Sequence, residues 1–477
     1  MRFFTAFLLV CFCCITLRAD DGLKATLDAQ LLKNEARYGI VGQSVMLLKN
    51  GEPLYRGKAG LAHLELDVPV AENHLFPSYS VAKLFTSVLV MQMVEEGKVD
   101  TGASIRTYLP TLTERWQPIT VAHVLNHTSG IPRYINDAIT RNKFLPSKVA
   151  VFEEFANAPA HFKIGTRNGY NNTNYLVLAA ILEAVSGESF ETLVNARIIT
   201  PLGLKHTGHA SAKAVVKNMV SSYQGADGTV RKNIDVDWPI YTFSHSALYS
   251  TPEDLTKFMT ALVGGKLVLL TALKKFWQPM ALEDGSKGHY AFGFEYAERD
   301  GYIQVGHDGG NRVKLRHYFP ISGEGDSYTL AYLTNGYAHG VWTDIFADSV
   351  MARVNEGQFA RAHITEAFMA HMLEHAGAST AALYGDILKA VGSAAAAESF
   401  ITNRAYAVRY AAGQKAAIPA FKMLTDHFPN SANAWSHHAE QWEHLGDTGK
   451  AISYYRKALE LNPEHGYAKK RLEALGE

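Results

Sequence analysis

A serine and a lysine three positions apart, Ser80 and Lys83, carry the clearest chemical signal in this chain. A serine hydroxyl becomes a nucleophile when a base lies within hydrogen-bonding reach, and a lysine amine can be that base once burial lowers its pKa. Residues three apart share one face of a helix. The spacing therefore predicts a nucleophile beside its base, whereas the alternative is a common tetrapeptide whose lysine extends into water.

The element that must position this pair is a buried helix. Residues 84–94 are apolar nearly all round, which is typical of a helix at the centre of a domain. Ser78 is expected to cap the first turn, and Gly97 to end the helix in a left-handed conformation. Burial and the partial positive charge of the helix N-terminus would both lower the pKa of Lys83.

Two polar stretches farther along the chain could complete a cleft. The loop over residues 165–174 (GTRNGYNNTN) leads into an apolar helix expected over residues 175–185, so Tyr170 and Asn172 can point into one space. The segment 306–311 (GHDGGN) separates two predicted strands. Its three glycines would let a substrate backbone approach closely and leave amides free to bind an anion.

Two histidines four apart, His123 and His127, could share a metal ion at the end of a short helix predicted over residues 119–125. No third ligand or intervening glutamate accompanies them. Packing and capping roles are therefore favoured over a zinc site.

The chain resembles the serine β-lactamases and penicillin-binding proteins over roughly residues 25–355. Three motifs occur in the order of that family and at comparable spacings: Ser80-Val81-Ala82-Lys83, Tyr170-Asn171-Asn172 and His307-Asp308-Gly309. The resemblance is greatest to class C β-lactamases and their D-alanyl-D-alanine carboxypeptidase, D-aminopeptidase and esterase relatives. It implies an α+β fold in which an antiparallel sheet flanked by helices and a helical subdomain enclose the cleft.

The same resemblance implies roles for the motif residues. Ser80 would be the acylated nucleophile, and Lys83 and Tyr170 would relay its proton. Which of the two is the acylation base stays open, because the pair titrates as one coupled unit. The expected substrate-binding residues are Asn172, which would bind the substrate amide, and, on an edge strand lining the cleft, His307, Gly309 and Gly310.

An oxyanion hole is also implied, formed by the backbone N–H groups of Ser80 and Gly310. The family resemblance implies no organic cofactor and no metal. The expected enzyme is a serine hydrolase that works through an acyl-enzyme.

The third motif departs from the Lys-Thr-Gly of typical β-lactamases. His307 is a variant seen in peptidase and esterase relatives, and Asp308 replaces a hydroxyl residue that helps bind a substrate carboxylate. An acid there would repel a carboxylate. Arg312, Lys314 and Arg316 would compensate, or else form alternating charge on an exposed strand face. An ester, an amide or a D-amino-acid peptide is therefore the expected substrate.

Two other functions stay open on the sequence. One is a true β-lactamase. The other is a catalytically inactive fold that serves as a repeat-mediated binding protein, although intact Ser80, Lys83 and Tyr170 argue against it.

An antiparallel sheet is predicted from the strand signals. Residues 44–48 and 53–56 flank Asn50-Gly51, which is a strong hairpin signal. Further strands are predicted over these ranges: 289–298, 302–305, 313–319 and 328–334. A helix is predicted to begin at Pro252, with Thr251 as its N-cap.

The C-terminal part shows a 34-residue period in the pairs Ala417 and Ala451, Phe421 and Tyr455, and Pro429 and Pro463. This spacing is typical of tetratricopeptide repeats. We expect a helical linker over residues 356–395 and repeats over residues 396–477. The repeats would serve as a stabilising cap or as a surface for a protein partner.

The composition is that of a globular protein and gives no sign of nucleic-acid binding. The 477 residues favour two domains, and 47% hydrophobic with 19% charged residues is ordinary for globular proteins. Lysine and arginine together number 46, as do aspartate and glutamate, and no basic block occurs. Nucleic acid is therefore not an expected partner.

Residues 1–19 are typical of a secretory signal, with Arg2, an apolar run and a small-residue cleavage site that ends at Ala19. The apolar run is short of the about 20 residues that span a membrane, although a retained anchor is the alternative. Cleavage would remove every cysteine of the chain, namely Cys11, Cys13 and Cys14. We therefore expect an exported protein, periplasmic or secreted, with no disulfide and no membrane span after cleavage.

Overall fold

The computed structural model describes residues 13–135, 144–225, 228–233, 236–310, 312–355, 357–375 and 379–477. Most of the predicted signal segment, with Cys11, lies outside these residues. The chain divides into two compact units. Of the described residues, the sheet unit takes those within 42–222 and 232–335, and the helical unit takes those up to residue 41 and those within 223–231 and 336–477.

The strands form one large antiparallel sheet and two small ones. The large sheet has the strand order β3-β2-β1-β13-β12-β11-β10-β9, and a second sheet has the order β4-β8-β5. The strands in chain order are β1 (Gly42–Lys49), β2 (Glu52–His63), β3 (Val68–Pro69), β4 (Phe76–Tyr79), β5 (Gly208–His209), β6 (Tyr223–Gln224), β7 (Arg231–Lys232), β8 (Leu248–Ser250), β9 (Tyr290–Ala291), β10 (Phe294–Arg299), β11 (Tyr302–Gly309), β12 (Val313–Pro320) and β13 (Tyr328–Thr334).

The helices frame the sheet in one unit and build most of the other. In chain order they are α1 (Cys13–Tyr38), α2 (Ala82–Glu95), α3 (Ile105–Tyr108), α4 (Val121–Leu125), α5 (Lys148–Phe155), α6 (Asn172–Ser186), α7 (Phe190–Val194), α8 (Thr200–Leu202), α9 (Pro252–Val263), α10 (Leu270–Phe276), α11 (Thr343–Val354), α12 (Ala360–Glu374), α13 (Ala381–Val391), α14 (Ala394–His427), α15 (Ala432–His444), α16 (Thr448–Leu461) and α17 (Gly466–Ala474).

The β1–β2 hairpin is confirmed, and its turn explains its register. Asn50 and Gly51 both have positive φ, 52° and 85°. Two consecutive left-handed residues make the turn whose twist matches that of paired strands. β1 also pairs with β13 from Gln43 opposite Thr334 to Lys49 opposite Tyr328, so the two ends of the sheet unit's sequence meet in the middle of the sheet.

Helix α2 lies at the centre of the sheet unit, as its composition predicts. Eleven of its 14 residues are buried. It packs against α6, and the ring of Phe85 stacks on that of Phe258 in α9 at 4.3 Å between centroids. Full burial of such a side chain contributes about 1.5–3 kcal/mol. A helix held on several sides gives its first turn little freedom to move.

The helical unit joins the start of the described chain to its end. In α1, the Asn34 amide donates to the Ser349 hydroxyl oxygen of α11 at 2.8 Å, and Tyr38 packs on Phe346 with ring centroids 5.1 Å apart. Farther on, α14 is interrupted at Gly413, whose φ is 82°. The remaining helices, α15 to α17, pack around a core that includes the buried Tyr455.

Three local predictions were wrong. Ser78 lies in β4 rather than at an N-cap, and its hydroxyl donates to the Phe76 carbonyl oxygen at 3.1 Å. The strand predicted over residues 289–298 is split between β9 and β10, because the chain turns at Gly293, where a Cβ would lie only 2.2 Å from Ser87 Oγ of α2. The segment 306–309 belongs to β11 rather than to a loop.

None of the helices in the part of the chain that the structure describes combines the length and the apolar character needed to cross a bilayer.

Candidate active site

Ser80 lies at the turn between β4 and α2. Tyr79, the residue before it, has a φ of 45°, a left-handed conformation that costs energy for a bulky side chain. This turn ends the strand and points the chain into the helix. The Lys83 N–H donates to the Ser80 carbonyl oxygen at 3.0 Å, which fixes both residues at the start of α2.

Lys83 is fully buried and has two oxygen neighbours. Its Nζ lies 3.0 Å from Ser80 Oγ and 3.1 Å from the His245 carbonyl oxygen. Burial lowers the pKa of Lys83 well below its ordinary value, and the charge of Glu295 opposes this only in part. Burial therefore favours the neutral form of the amine, which can accept a proton. Sequence reasoning missed His245, because a backbone carbonyl leaves no side-chain signal.

Tyr170 completes the triad from a distant loop. Its hydroxyl donates to Ser80 Oγ at 2.7 Å, and Lys83 Nζ lies 4.9 Å from the centroid of its ring. Burial raises the pKa of Tyr170 well above its ordinary value, although the hydrogen bond to Ser80 works in the other direction. The phenol thus keeps its proton, and the structure brings all three predicted catalytic side chains together.

The start of α6 places the residues after Tyr170. Asn171 caps this helix, its side-chain oxygen accepting from the Thr173 N–H at 3.0 Å, and its amide donates to the Ile131 carbonyl oxygen at 2.6 Å. Asn172 is the first residue of the helix. Its Oδ1 is buried and has no hydrogen-bond partner among the described residues, which leaves it able to accept an N–H from a substrate.

His307 lies beside Tyr170 with ring centroids 5.8 Å apart. Only 2% of the residue is exposed, and burial lowers the pKa of His307 although Glu295 opposes this. Its Nδ1 lies 2.6 Å from the Asp308 carbonyl oxygen and therefore carries the proton. Nε2 has no partner among the described residues, so it presents a free lone pair.

The two predicted substrate-binding glycines lie against the segment that precedes the nucleophile. A Cβ on Gly309 would lie 2.3 Å from the Ser78 carbonyl oxygen, and one on Gly310 would lie 2.9 Å from the Tyr79 ring. A backbone carbonyl and a tyrosine ring of the protein, rather than substrate, thus take the room that these glycines leave. The close approach holds the third motif next to Ser80.

Strand β11 is an edge strand only in part. On one side it pairs with β12 from Tyr302 to Gly309, whereas on the other side β10 pairs with it only as far as Gly306. The predicted edge therefore extends over residues 307–309 alone. Those are the residues of the third motif.

Asp308 belongs to a buried ion cluster, and the predicted exposed strand face is wrong. Lys314 Nζ lies 2.8 Å from both carboxylate oxygens of Asp308, and Arg316 contacts both Asp308 and Glu295. The side chains of Lys314 and Arg316 are 8% and 10% exposed, against 33% for Asp308. Burial opposes ionisation, yet Arg316 and Lys314 hold the pKa of Asp308 below its ordinary value. Arg312 instead donates to the Tyr79 hydroxyl at 3.1 Å.

Two cavities flank this site. The lining of one, of about 300 Å³, includes Tyr290, Glu295 and Arg316. The other, of about 120 Å³, lies beside Tyr79 and is lined largely by apolar side chains, Trp238 among them. Within the described residues, no three histidine, cysteine, aspartate or glutamate side chains are grouped so that they could hold a metal ion.

The arrangement can activate a hydroxyl. A neutral amine and a protonated phenol both contact one serine oxygen, so the serine proton can pass to the amine while the phenol keeps its own. The structure does not bring His123 to this centre. Its Nδ1 accepts from the Thr120 N–H at 3.1 Å, in a capping box at the start of α4.

Comparison with known proteins gives the same family over most of the chain. The family model described as "Beta-lactamase" matches residues 25–363. Penicillin-binding protein 4 of Amycolatopsis lactamdurans is 26% identical over 347 residues, which cover 69% of this chain and 88% of that protein.

A second relative is the teichoic acid D-alanine hydrolase of Staphylococcus aureus, 28% identical over 257 residues; the match covers 53% of this chain and 61% of that protein. Among solved structures, EstCE1, a hydrolase with promiscuous acyltransferase activity, aligns with a TM-score of 0.60 at 19% identity. The alignment covers 70% of this chain and 99% of EstCE1, and at this identity it shows a shared fold.

Proposed function

The chain belongs to the beta-lactamase family of serine hydrolases, and we propose that it hydrolyses an ester, an amide or a D-amino-acid peptide through an acyl-enzyme on Ser80. One observation carries the proposal. Ser80 Oγ lies 3.0 Å from Lys83 Nζ and 2.7 Å from the Tyr170 hydroxyl oxygen, at the start of a buried helix. This is the geometry of an activated nucleophile.

Lys83 is the proposed base in acylation. The Tyr170 hydroxyl donates a hydrogen bond to Ser80 Oγ, so the serine hydroxyl must direct its own hydrogen elsewhere. The neutral amine of Lys83 is the neighbouring acceptor. As that proton moves to Lys83, Oγ bonds to the substrate carbonyl carbon. The pKa directions of the two groups favour this assignment over a phenolate base.

The leaving group takes its proton from Tyr170 as its bond to the carbonyl carbon breaks, and the Lys83 ammonium returns a proton to the phenol. Water then attacks the acyl carbon and gives up a proton to the neutral amine of Lys83. As the bond between that carbon and Ser80 Oγ breaks, the Lys83 ammonium passes this proton to Oγ, which regenerates Ser80 and releases the acid. The backbone N–H groups of Ser80 and Gly310 are the proposed oxyanion donors. Such a donor is typically worth about 3 kcal/mol.

Asn172 and His307 are the proposed contacts to the substrate. Asn172 Oδ1 is a buried acceptor with no partner among the described residues, which suits a substrate N–H. The free Nε2 of His307 can accept a hydrogen bond from the substrate on the Tyr170 side. Gly309 and Gly310 serve by letting the third motif approach Ser80.

The proposed substrate class follows from the charge near the third motif. The carboxylate of Asp308 forms ion pairs with Lys314 and Arg316. Neither cation is therefore left free for a substrate carboxylate. Substrates without one are therefore preferred. The D-alanine hydrolase among the relatives supports the inclusion of D-alanyl esters.

Export is part of the proposal and rests on the signal pattern of residues 1–19 and on relatives that include a penicillin-binding protein. We also propose that the C-terminal helices are tetratricopeptide repeats. Helix α14 breaks at Gly413 and ends at His427. The same pattern occurs 34 residues later, since α15 gives way to α16 just before Thr448 and α16 ends at Leu461. They would serve as a cap or as a surface for a protein partner.

Mass spectrometry after treatment with a fluorophosphonate tests the central claim. Wild-type protein should gain one adduct, located on Ser80, and Ser80→Ala should gain none. Ser78→Ala, two residues away in β4, is the matched control and should still be labelled. A folded wild-type protein that takes up no label at Ser80 would contradict the proposal and favour an inactive fold.

A substrate screen then separates the two enzymatic alternatives. It should contain short esters, D-amino-acid amides, muropeptides and the cephalosporin nitrocefin, each tested with wild type and Ser80→Ala. Faster turnover of esters or D-amino-acid compounds supports the proposal. Efficient opening of nitrocefin with little activity on the others would instead identify a true β-lactamase.

A further inference from the structure

His127 has an unusual backbone conformation just after α4. Its φ is 56°, a left-handed conformation that only a few per cent of residues other than glycine adopt, and the residue is fully buried. Conformations of this kind persist only where the surroundings hold them in place. In the sheet unit, what holds His127 is the loop that carries Tyr170.

His127 binds this loop on both sides of the catalytic tyrosine. The Gly169 N–H donates to the His127 carbonyl oxygen at 2.8 Å, and the Asn171 N–H donates to the imidazole Nδ1 at 3.1 Å. Gly169 and Asn171 are the two neighbours of Tyr170. A single residue therefore fixes the backbone before and after the phenol.

The hydrogen bonds also fix the tautomer of the imidazole. The Asn174 amide nitrogen lies 3.1 Å from the same Nδ1, and its orientation is set by the Ser129 hydroxyl, which donates to Asn174 Oδ1 at 2.7 Å. Nδ1 thus faces two donors and must be the acceptor, so the proton is on Nε2. Burial lowers the pKa of His127 well below its ordinary value, which keeps this form neutral.

The imidazole also touches the tyrosine ring. The centroids of the His127 and Tyr170 rings are 4.9 Å apart, and those of the His127 and Tyr290 rings are 4.7 Å apart. The imidazole therefore supports the ring of Tyr170 as well as the backbone on either side of it. The hydroxyl of the same tyrosine lies 2.7 Å from Ser80 Oγ.

We propose that His127 is a positioning residue for catalysis, which acts through Tyr170 by holding it at hydrogen-bond distance from Ser80. The inference rests on the proposed function. Among the described residues, His127 makes no hydrogen bond to Ser80. Its effect on acylation must therefore pass through the phenol.

Two substitutions separate the hydrogen bond from the space that the ring fills. His127→Leu keeps a side chain of similar size but makes it apolar, and it removes the Nδ1 acceptor. His127→Asn keeps an oxygen acceptor at the same position from the backbone, and asparagine tolerates positive φ. The matched control is His123→Leu, four residues earlier, where the imidazole caps α4 and has no part in the site.

The experiment is a double-mutant cycle with Tyr170→Phe, read as the rate constant of Ser80 acylation by an activated ester in single-turnover kinetics. We expect His127→Leu to lower this constant about 100-fold in the wild-type background, with KM nearly unchanged, because it removes the phenol from the proton path. In the Tyr170→Phe background the same substitution should change the rate less than about 3-fold, because nothing remains for it to position.

His127→Asn should recover most of the loss, and His123→Leu should leave the rate unchanged. Equal losses in both backgrounds would overturn the inference, since His127 would then act on folding or on another group. No recovery by asparagine in a folded variant would overturn it as well. A wild-type protein without acylation at Ser80 would instead contradict the proposed function, which is a separate result.

Discussion

The hydroxyl oxygen of Tyr170 lies 2.7 Å from the hydroxyl oxygen of Ser80, although 90 residues separate them in the sequence. Ser80 and Lys83 come from the start of α2, Tyr170 from the loop before α6, and the third motif from the end of β11. A site assembled from three distant segments depends on the packing that brings them together. Substitutions in that packing should therefore affect catalysis as well as stability.

The buried amine of Lys83 should make stability depend on pH. Burial lowers its pKa in the folded protein, whereas the unfolded chain has a pKa near the ordinary 10.5. Between these two values the unfolded state binds more protons, so stability rises with pH, by up to about 1.4 kcal/mol per pH unit for one such group. Lys83→Met removes this contribution. Urea unfolding at pH 7 and pH 9 should show a smaller rise for Lys83→Met than for wild type.

The same variant should abolish Ser80 acylation and be at least as stable as wild type at pH 7, since no amine must be desolvated. Lys98→Met is the control, because this lysine is exposed and follows the end of α2. It should keep both the activity and the dependence of stability on pH. An unchanged slope in Lys83→Met would show that the amine is charged in the folded protein.

Asp308→Thr should lower stability and change substrate preference. Removing the carboxylate leaves Lys314 without its partner and Arg316 with Glu295 alone, which should cost about 1–3 kcal/mol. The freed amine of Lys314 would then be available to a substrate carboxylate. We expect turnover of D-alanyl-D-alanine peptides to rise relative to the same peptides with an amidated C-terminus.

Adding Lys314→Met to Asp308→Thr is the control for this prediction. It should restore most of the stability and remove the gain on carboxylate-bearing peptides. A gain that persists in the double variant would mean that Lys314 is not the group that binds the carboxylate.

Gly309→Ala should reduce activity by moving the third motif away from the nucleophile. The added Cβ would lie 2.3 Å from the Ser78 carbonyl oxygen, a backbone atom that can yield only if β4 and β11 separate. A cost of about 1–3 kcal/mol is expected for such overpacking. Gly466→Ala, where a Cβ meets nothing within 4 Å, is the control. Thermal unfolding and acylation rates measure both variants, and wild-type values for Gly309→Ala would show that this contact is loose.

Asn172→Leu should affect substrates that carry an N–H next to the reacting carbonyl. Its Oδ1 is a buried acceptor without a partner among the described residues, and the loss of one such hydrogen bond should cost about 10-fold in kcat/KM. The phenyl ester of N-acetyl-D-alanine supplies the N–H, and phenyl isobutyrate lacks it. An equal loss on both esters would assign Asn172 to the structure of the site rather than to amide recognition.

The sequence predicts those parts of the site that depend on local spacing. Ser80 and Lys83 are one turn apart in any helix, and Asn50-Gly51 forms a hairpin turn wherever it lies between strands. Other contacts depend on how strands pair. Asp308 meets Lys314 because they are opposite each other in the β11–β12 register, which composition does not encode.

Some functional groups leave no recognisable signal at all. The His245 carbonyl oxygen that contacts Lys83 could belong to any residue type, since only the path of the backbone places it there. For His127 the sequence favours a packing or capping role, since no third metal ligand accompanies it, and its partners Gly169 and Asn171 lie more than 40 positions away. The role of each becomes visible only when the chain is folded.

The pairing of β1 with β13 and of α1 with α11 has a consequence for the order of events during synthesis. Each pair joins an early segment to one made about 300 residues later, and at about 5–20 residues per second a ribosome needs roughly 15–60 s to bridge that interval. Neither unit can close in the meantime. The nascent polypeptide therefore emerges from the ribosome with α1 and β1 open to chaperones until β13 and α11 have been made.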